Sequence, residues 1–199
     1  MTHASAPPVK NLLTPRDGIP TPVDTPTALT EAARKLAAGT GPIAIDAERA
    51  SGYRYTSRAY LVQMRRAGSG TILIDPLPFE DLSPIARAIA GEEWVVHAAS
   101  QDLPCLAELG LRPARLFDTE LGGRLAGYER VSLALMVERL LGYHLEKGHA
   151  AANWSTRPLP SDWLIYAALD VELLLELREA LQVELNKQGK LEWAQEEFT

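Results

Sequence analysis

Residues 42–48 read Pro-Ile-Ala-Ile-Asp-Ala-Glu, and the conformation of this stretch decides the fold. Successive side chains of a strand alternate between its faces, so Ile43 and Ile45 take one side and Asp46 and Glu48 the other. The β-branched isoleucines favour that conformation. Two adjacent carboxylates repel, and in a central strand cations or solvent must offset the repulsion. Taken alone, Asp-x-Glu also suits an exposed strand end.

Short apolar runs at 60–64 and 71–74, separated by Gly68 and Gly70, predict two further strands joined as a hairpin. A helix at 82–90, a buried strand at 94–98 and a helix at 103–109 closed by Gly110 come next. This alternation implies an α/β sheet with helices packed on it. Before it, Thr25-Pro26 reads as an N-cap followed by proline at the first helical position. Leu29, Ala33 and Leu36 share one face of that helix, and Gly39 and Gly41 end it. Residues 1–24 hold Pro7, Pro8, Pro15, Pro20 and Pro22 and read as an extended or poorly ordered lead-in outside the core, which leaves 25–199 as the domain. The C-terminal half turns helical. Its segments are about 118–125, then 132–141 capped by Ser132 and stopped by Gly142, and after a loop one long helix over 161–186. In the last, Leu169, Leu173, Leu177 and Leu181 recur at helical spacing.

A chain of 199 residues, 46% hydrophobic and 23% charged, suits one ordinary globular domain. No apolar run approaches the roughly 18 residues of a membrane span, and the N-terminus lacks a secretory pattern, so an intracellular, cytoplasmic protein is expected. The single cysteine, Cys105, reads as a small core residue, and no Cys/His spacing suits zinc. A net charge of −6 argues against coating nucleic acid by bulk electrostatics. The average hides an asymmetry. Between Glu48 and Asp75 no acid occurs, while Arg49, Arg54, Arg58, Arg65 and Arg66 stand with Tyr53, Tyr55 and Tyr60. Such a segment suits phosphate contacts, or simply a solvated face.

Further acids interrupt apolar segments. Tyr166 and Asp170 are four apart, hence on one helix face, among Leu, Ile and Ala. A carboxylate on a core-facing helix needs a partner, whereas on the wet side it needs none. Asp102 follows the predicted strand in His97-Ala98-Ala99-Ser100-Gln101-Asp102-Leu103, where a helix N-cap is the plain alternative.

These pieces have a recognisable order. With Ile45-Asp46-Ala47-Glu48 as first motif, His97 to Leu103 as second and Tyr166-Ala167-Ala168-Leu169-Asp170 as third, the chain resembles ribonuclease D, of the tyrosine-bearing branch of the DEDD exonucleases. Phe117-Asp118-Thr119 and Asn153-Trp154-Ser155-Thr156-Arg157-Pro158-Leu159 resemble the connecting segments, and the likeness covers about residues 40–182. It implies a ribonuclease H-like α/β fold, a mixed sheet flanked by helices with a helical C-terminal half. It also implies removal of nucleotides from the 3′ end of single-stranded RNA with two divalent ions, Mg²⁺ or Mn²⁺. Asp46, Glu48, Asp102 and Asp170 would hold the metals, and the Tyr166 hydroxyl would orient the attacking water. The same set of metals can cut DNA, and a catalytically silent binding domain is the reading from another class.

Arg49 stands where many relatives carry an aromatic residue, and Asn153 where an aspartate is common. Arg49, Arg54 and Arg58 are candidate nucleic-acid contacts. Trp154 and Arg157 suit either such a contact or a structural brace in their loop. His97 reads as packed or hydrogen-bonded, and His144 and His149 carry no assignment. The helical nucleic-acid-binding domain that often follows the nuclease in this family has no counterpart in the 199 residues, and a monomer is favoured.

Overall fold

A computed structural model describes residues 9–50, 53, 58–145, 148–149 and 151–198. In chain order the elements are β1 (Lys10–Leu12), α1 (Pro26–Ala38), β2 (Thr40–Arg49), β3 (Ala59–Ala67), β4 (Gly70–Ile74), α2 (Ser83–Ala88), β5 (Glu93–Val96), α3 (Leu103–Glu108), β6 (Arg115–Asp118) and α4 (Thr119–Leu125). After them come α5 (Leu133–Leu141), β7 (Tyr143–Leu145), α6 (Ser161–Glu172), α7 (Leu174–Lys187) and α8 (Leu191–Glu197).

Five strands form a mixed sheet in the order β4-β3-β2-β5-β6, with β2 at its centre. The pairings β2–β3 and β3–β4 are antiparallel, the latter being the predicted hairpin, whereas β2–β5 and β5–β6 are parallel. The alternation expected of residues 42–48 is realised. Ile43, Ile45 and Ala47 join a core with Leu29 and Leu36 of α1, Ile85 of α2 and Leu106 of α3. Ala44 faces the opposite layer, a core built from α4, α5, α7 and α8. A third cluster seats Ala167 and Ala168 of α6 against Leu61 of β3 and Leu73 of β4. Helices therefore cover both faces, as the α/β pattern implies. Among the described residues no helix is long and apolar enough to cross a membrane.

At the end of α1 a Cβ on Gly39 would stand 2.8 Å from Arg66 Cδ and 2.9 Å from the Ala67 carbonyl. Only glycine lets the helix end that close to β3. Thr25 caps the other end, its hydroxyl accepting from the Ala28 N–H at 3.3 Å. Cys105 is buried, its thiol 3.1 Å from the Asp102 carbonyl.

Two expectations are corrected. The described part of the lead-in is extended, but it belongs to the domain. Here β1 pairs with β7 in parallel, Val23 exchanges backbone hydrogen bonds with Leu73 and Asp75, and Val23 and Leu12 pack on the two main cores. Arg16 also reaches Glu176 at 2.9 Å, and Asp17 meets Arg65 at 3.0 Å. Proline-rich sequence disfavours regular structure yet leaves single side chains free to dock, which is what happens here.

The long terminal helix is two helices. It breaks at Leu173, whose φ −114° and ψ 5° leave the helical region, although neither Gly nor Pro occurs nearby. Packing decides this: α6 lies on β2, β3 and β4, while α7 lies on β2, β5, α4 and α5. A single straight rod would not follow both contact regions along one twisted face.

Candidate active site

Asp46 and Glu48 occupy the carboxyl-terminal half of β2, the sheet's central strand. Asp170 comes from α6, which crosses that strand, and one oxygen from each of Asp46, Glu48 and Asp170 lies within 4.8 Å of the others. Glu48 also accepts from the Gln63 side-chain amide of β3 at 3.3 Å.

Asp102 arrives from the next strand. After β5 the chain turns through Ala98, which adopts the left-handed conformation at φ 59°, ψ 55°, and a 3₁₀ turn over Ala99–Gln101. For a non-glycine residue that conformation costs about 1–2 kcal/mol. Asp118 at the end of β6 offsets it. Its carboxylate accepts from the backbone N–H groups of Ala98 and Ala99 at 3.0 and 2.8 Å, and from those of Glu120 and Leu121 at the start of α4 at 2.8 and 3.2 Å. Thus one side chain fixes both the turn that delivers Asp102 and the following helix. In this setting Asp102 is buried and shares a hydrogen bond with Asp46.

Crowded acids in a desolvated place hold their protons. Burial, then the charge of Asp46, pushes the Asp102 carboxyl up to about 8. Burial and the neighbouring acids hold Glu48 and Asp170 well above the ordinary carboxylate range, and burial raises Asp46 despite a hydrogen bond from the Ala47 N–H. The Tyr166 hydroxyl donates to Asp170, and burial together with that carboxylate drives its ionisation further up. Tyr166 is therefore a neutral donor at working pH and not a base.

These shifts fix a pH dependence for the metal-free protein. A carboxyl whose folded pKa is raised binds more protons in the native state than in the unfolded one, so stability falls as pH rises between the unfolded value and the folded one. For Asp102 that window runs from the ordinary value of 3.8 to about 8. Buried His97, whose pKa is lowered mainly by burial, acts with the opposite sign, but only below its ordinary 6.5. In EDTA the melting temperature should accordingly fall from pH 6.5 to pH 8, and Asp102→Asn should flatten the slope. A melting temperature that rises across this interval would contradict the arrangement.

Other candidate residues divide. Arg49 reaches the site, its guanidinium 3.6 Å from an Asp102 oxygen. Arg58 stands half-buried before β3, and Arg54 lies outside the described residues. Arg65 and Arg66 are committed elsewhere, to Asp17, Thr71 and Glu172 and to Glu92 and the Leu36 and Gly41 carbonyls. Tyr60 is buried, so the basic stretch is no single phosphate-facing surface.

Trp154 and Arg157 form the structural brace. Trp154 is 0% exposed, its indole N–H donating to the His149 carbonyl at 3.2 Å and its ring packed against Trp163, which leaves no face for a base. Arg157 grips Asp75 with two hydrogen bonds of 2.6 and 2.9 Å, and it donates to the carbonyls of Trp154, Thr156 and Tyr60. Of the two readings open from the sequence, contact or brace, the geometry supports the brace: the loop needs its interior tied down because it carries α6 to β3 and β4. Arg157→Ala should destabilise the fold by about 2–3 kcal/mol, below the ~3–5 of breaking a fully buried pair because the arginine is 28% exposed. Urea unfolding reads this as a lower midpoint with an unchanged slope, and an unchanged midpoint would remove the brace.

The brace also bears on Tyr166. His149 meets the Tyr166 ring edge-on with centroids 5.8 Å apart and pairs with Asp162 at 3.2 Å, while a Cβ on Gly148 would come within 3.3 Å of the same ring. His97 is hydrogen-bonded as expected, to Thr119 at 2.9 Å. In the sequence Gln63 carries no assignment, and Asp118 enters only within a connecting segment. Gln63 is the one amide inside an apolar strand, a signal that was there to read, whereas the role of Asp118 depends on β5 and β6 lying side by side.

The donor set suits hard divalent cations: oxygen ligands from several elements converge, and their mutual repulsion is eased only in part by Arg49. Comparison with known proteins agrees. Residues 20–186 match the family profile described as 3′-5′ exonuclease. Ribonuclease D of Acidiphilium cryptum (strain JF-5) is 32% identical over 189 residues, covering 92% of this chain and 48% of that protein. Ribonuclease D of Granulibacter bethesdensis (strain ATCC BAA-1260 / CGDNIH1) is 33% identical over 160 residues, covering 78% and 40%. The chain thus spans less than half the length of these relatives. A crystal structure of a protein from Bifidobacterium adolescentis superposes with a TM-score of 0.93 at 49% identity, over 96% of this chain and 47% of that one. With a matched profile over most of its length and a mixed sheet that brings the acids of its motifs together, the chain belongs to the 3′-5′ exonuclease family.

Proposed function

We propose that the protein removes nucleotides one at a time from the 3′ end of single-stranded RNA, in transfer-RNA or other stable-RNA maturation, as a cytoplasmic monomer. The observation that carries this reading is the meeting of Asp46, Glu48 and Asp170 within 4.8 Å, with Asp102 hydrogen-bonded to the first of them. Asp46, Glu48, Asp102 and Asp170 would hold two divalent ions, Mg²⁺ or Mn²⁺. Such a pair supplies an activated water and stabilises the leaving 3′ oxygen. The likeness to proteins named ribonuclease D supports RNA as the substrate.

The protein's own groups do the rest. Loss of the Asp102 proton frees its carboxylate and that of Asp46 for cations, so metal affinity rises with pH. Tyr166, kept neutral and pinned to Asp170, offers its hydroxyl to position the attacking water, and His149 and Gly148 hold its ring in place. Arg49, 3.6 Å from Asp102, would meet the phosphate.

The test uses single-stranded RNA and DNA of equal sequence, labelled at either end, with Mg²⁺, Mn²⁺ or EDTA. RNA should shorten from the 3′ end in one-nucleotide steps, and EDTA should stop it. Internal cuts at early times, or full activity in EDTA, would contradict the mechanism. Faster loss of DNA would make the protein a DNA exonuclease, and binding without cleavage would make it a silent binding domain.

A further inference from the structure

Arg49 is a cation that acts on the acids. Among the described residues its charge is felt by Asp46, Glu48 and Asp102 together. Its guanidinium nitrogen stands 3.6 Å from Asp102, beyond hydrogen-bond length, so the contact is one of charge and can be released. The side chain is 27% exposed, so part of it reaches solvent.

An irregularity of the sheet lies beside it. Strict alternation would send Arg49 to the side opposite Glu48. At this point the β2–β3 register slips, from Glu48 opposite Leu61 to Arg49 opposite Ala59, so Tyr60 is an extra residue in β3. Such a bulge twists the ladder locally and re-aims the side chains beside it. The chain thus carries a permanent positive charge among acids that are expected to bind positive ions.

We propose that Arg49 is a positioning residue that couples metal binding to RNA binding. In the free protein its charge takes the place of a cation beside Asp102 and holds metal affinity down. An RNA phosphate, a stronger partner for a guanidinium than a carboxylate at 3.6 Å, draws Arg49 away and leaves Asp102 to the metal. Coupling of this kind is reciprocal, so metal in turn tightens RNA. The inference rests on the reading that these acids hold divalent ions.

The test is Mn²⁺ binding at pH 8 without nucleic acid, followed by the electron paramagnetic resonance of the free ion, for the wild type, Arg49→Gln and Arg49→Lys. Arg49→Gln should bind Mn²⁺ at least tenfold more tightly, a modest effect for a unit charge a few ångströms away. Arg49→Lys should stay close to the wild type. Binding of single-stranded RNA in Ca²⁺ should move the other way, weakened in Arg49→Gln with a log-log salt slope smaller by about 0.7. A side chain that only supported the fold would weaken both ligands or neither. Wild-type protein that binds no Mn²⁺ would overturn the metal reading and this inference with it. Wild-type binding with no gain in Arg49→Gln would overturn the inference alone.

Discussion

Asp46→Asn should lower cleavage of single-stranded RNA by at least about 10³-fold while the protein stays folded, the upper end of what one electrostatic contact supplies in a water-poor site. Asparagine keeps the size of the side chain and removes its charge. Asp46 has an oxygen within 4.8 Å of those of Glu48 and Asp170 and shares a hydrogen bond with Asp102, so its loss disturbs every other member. The same substitution relieves repulsion among buried acids, and the melting temperature in EDTA should hold or rise. A destabilised, inactive variant would point to a structural role, and near-normal turnover at saturating Mg²⁺ would remove Asp46 from the chemistry.

Tyr166→Phe isolates the hydroxyl. The ring, wedged between Gly148, His149 and Trp154, keeps its packing, so folding should survive. Single-turnover cleavage should fall roughly 10²-fold, the low end of what a positioned proton-handling group contributes, with little change in RNA affinity measured in Ca²⁺. Because burial and Asp170 keep the phenol neutral, the wild-type rate should show no loss from its ionisation near pH 10, and the variant's pH profile should keep the wild-type shape. A wild-type rate would return Tyr166 to the core and leave water to be oriented by the acids and their ions alone.

Much of the site was legible in the sequence, for a physical reason that shows in which parts were not. The carboxylates of β2 share a face because backbone geometry repeats every two residues, and Tyr166 and Asp170 share one because a helix repeats every 3.6. Strand residues 43–47 and the hairpin of β3 and β4 follow from the same local rules. Trp154 and Arg157 obey no such rule. Their sequence allows a stacking platform and a phosphate clamp, and only the position of Asp75, 82 residues earlier, makes the arginine a brace and buries the indole with it.

By itself, then, the sequence determined the periodic features: the strand that presents Asp46 and Glu48, the helix that presents Tyr166 and Asp170, and the order of motifs that places the chain among its relatives. Tertiary structure alone decided what depends on two distant segments meeting. It joined β2, the turn after β5 and α6 at one point, broke the last helix at Leu173 to fit two regions of one face, tied the lead-in through Arg16 and Asp17, and set Arg49 beside Asp102. Dihedral preferences act within a few residues, whereas burial and the choice of charge partner are set only when the whole chain has packed.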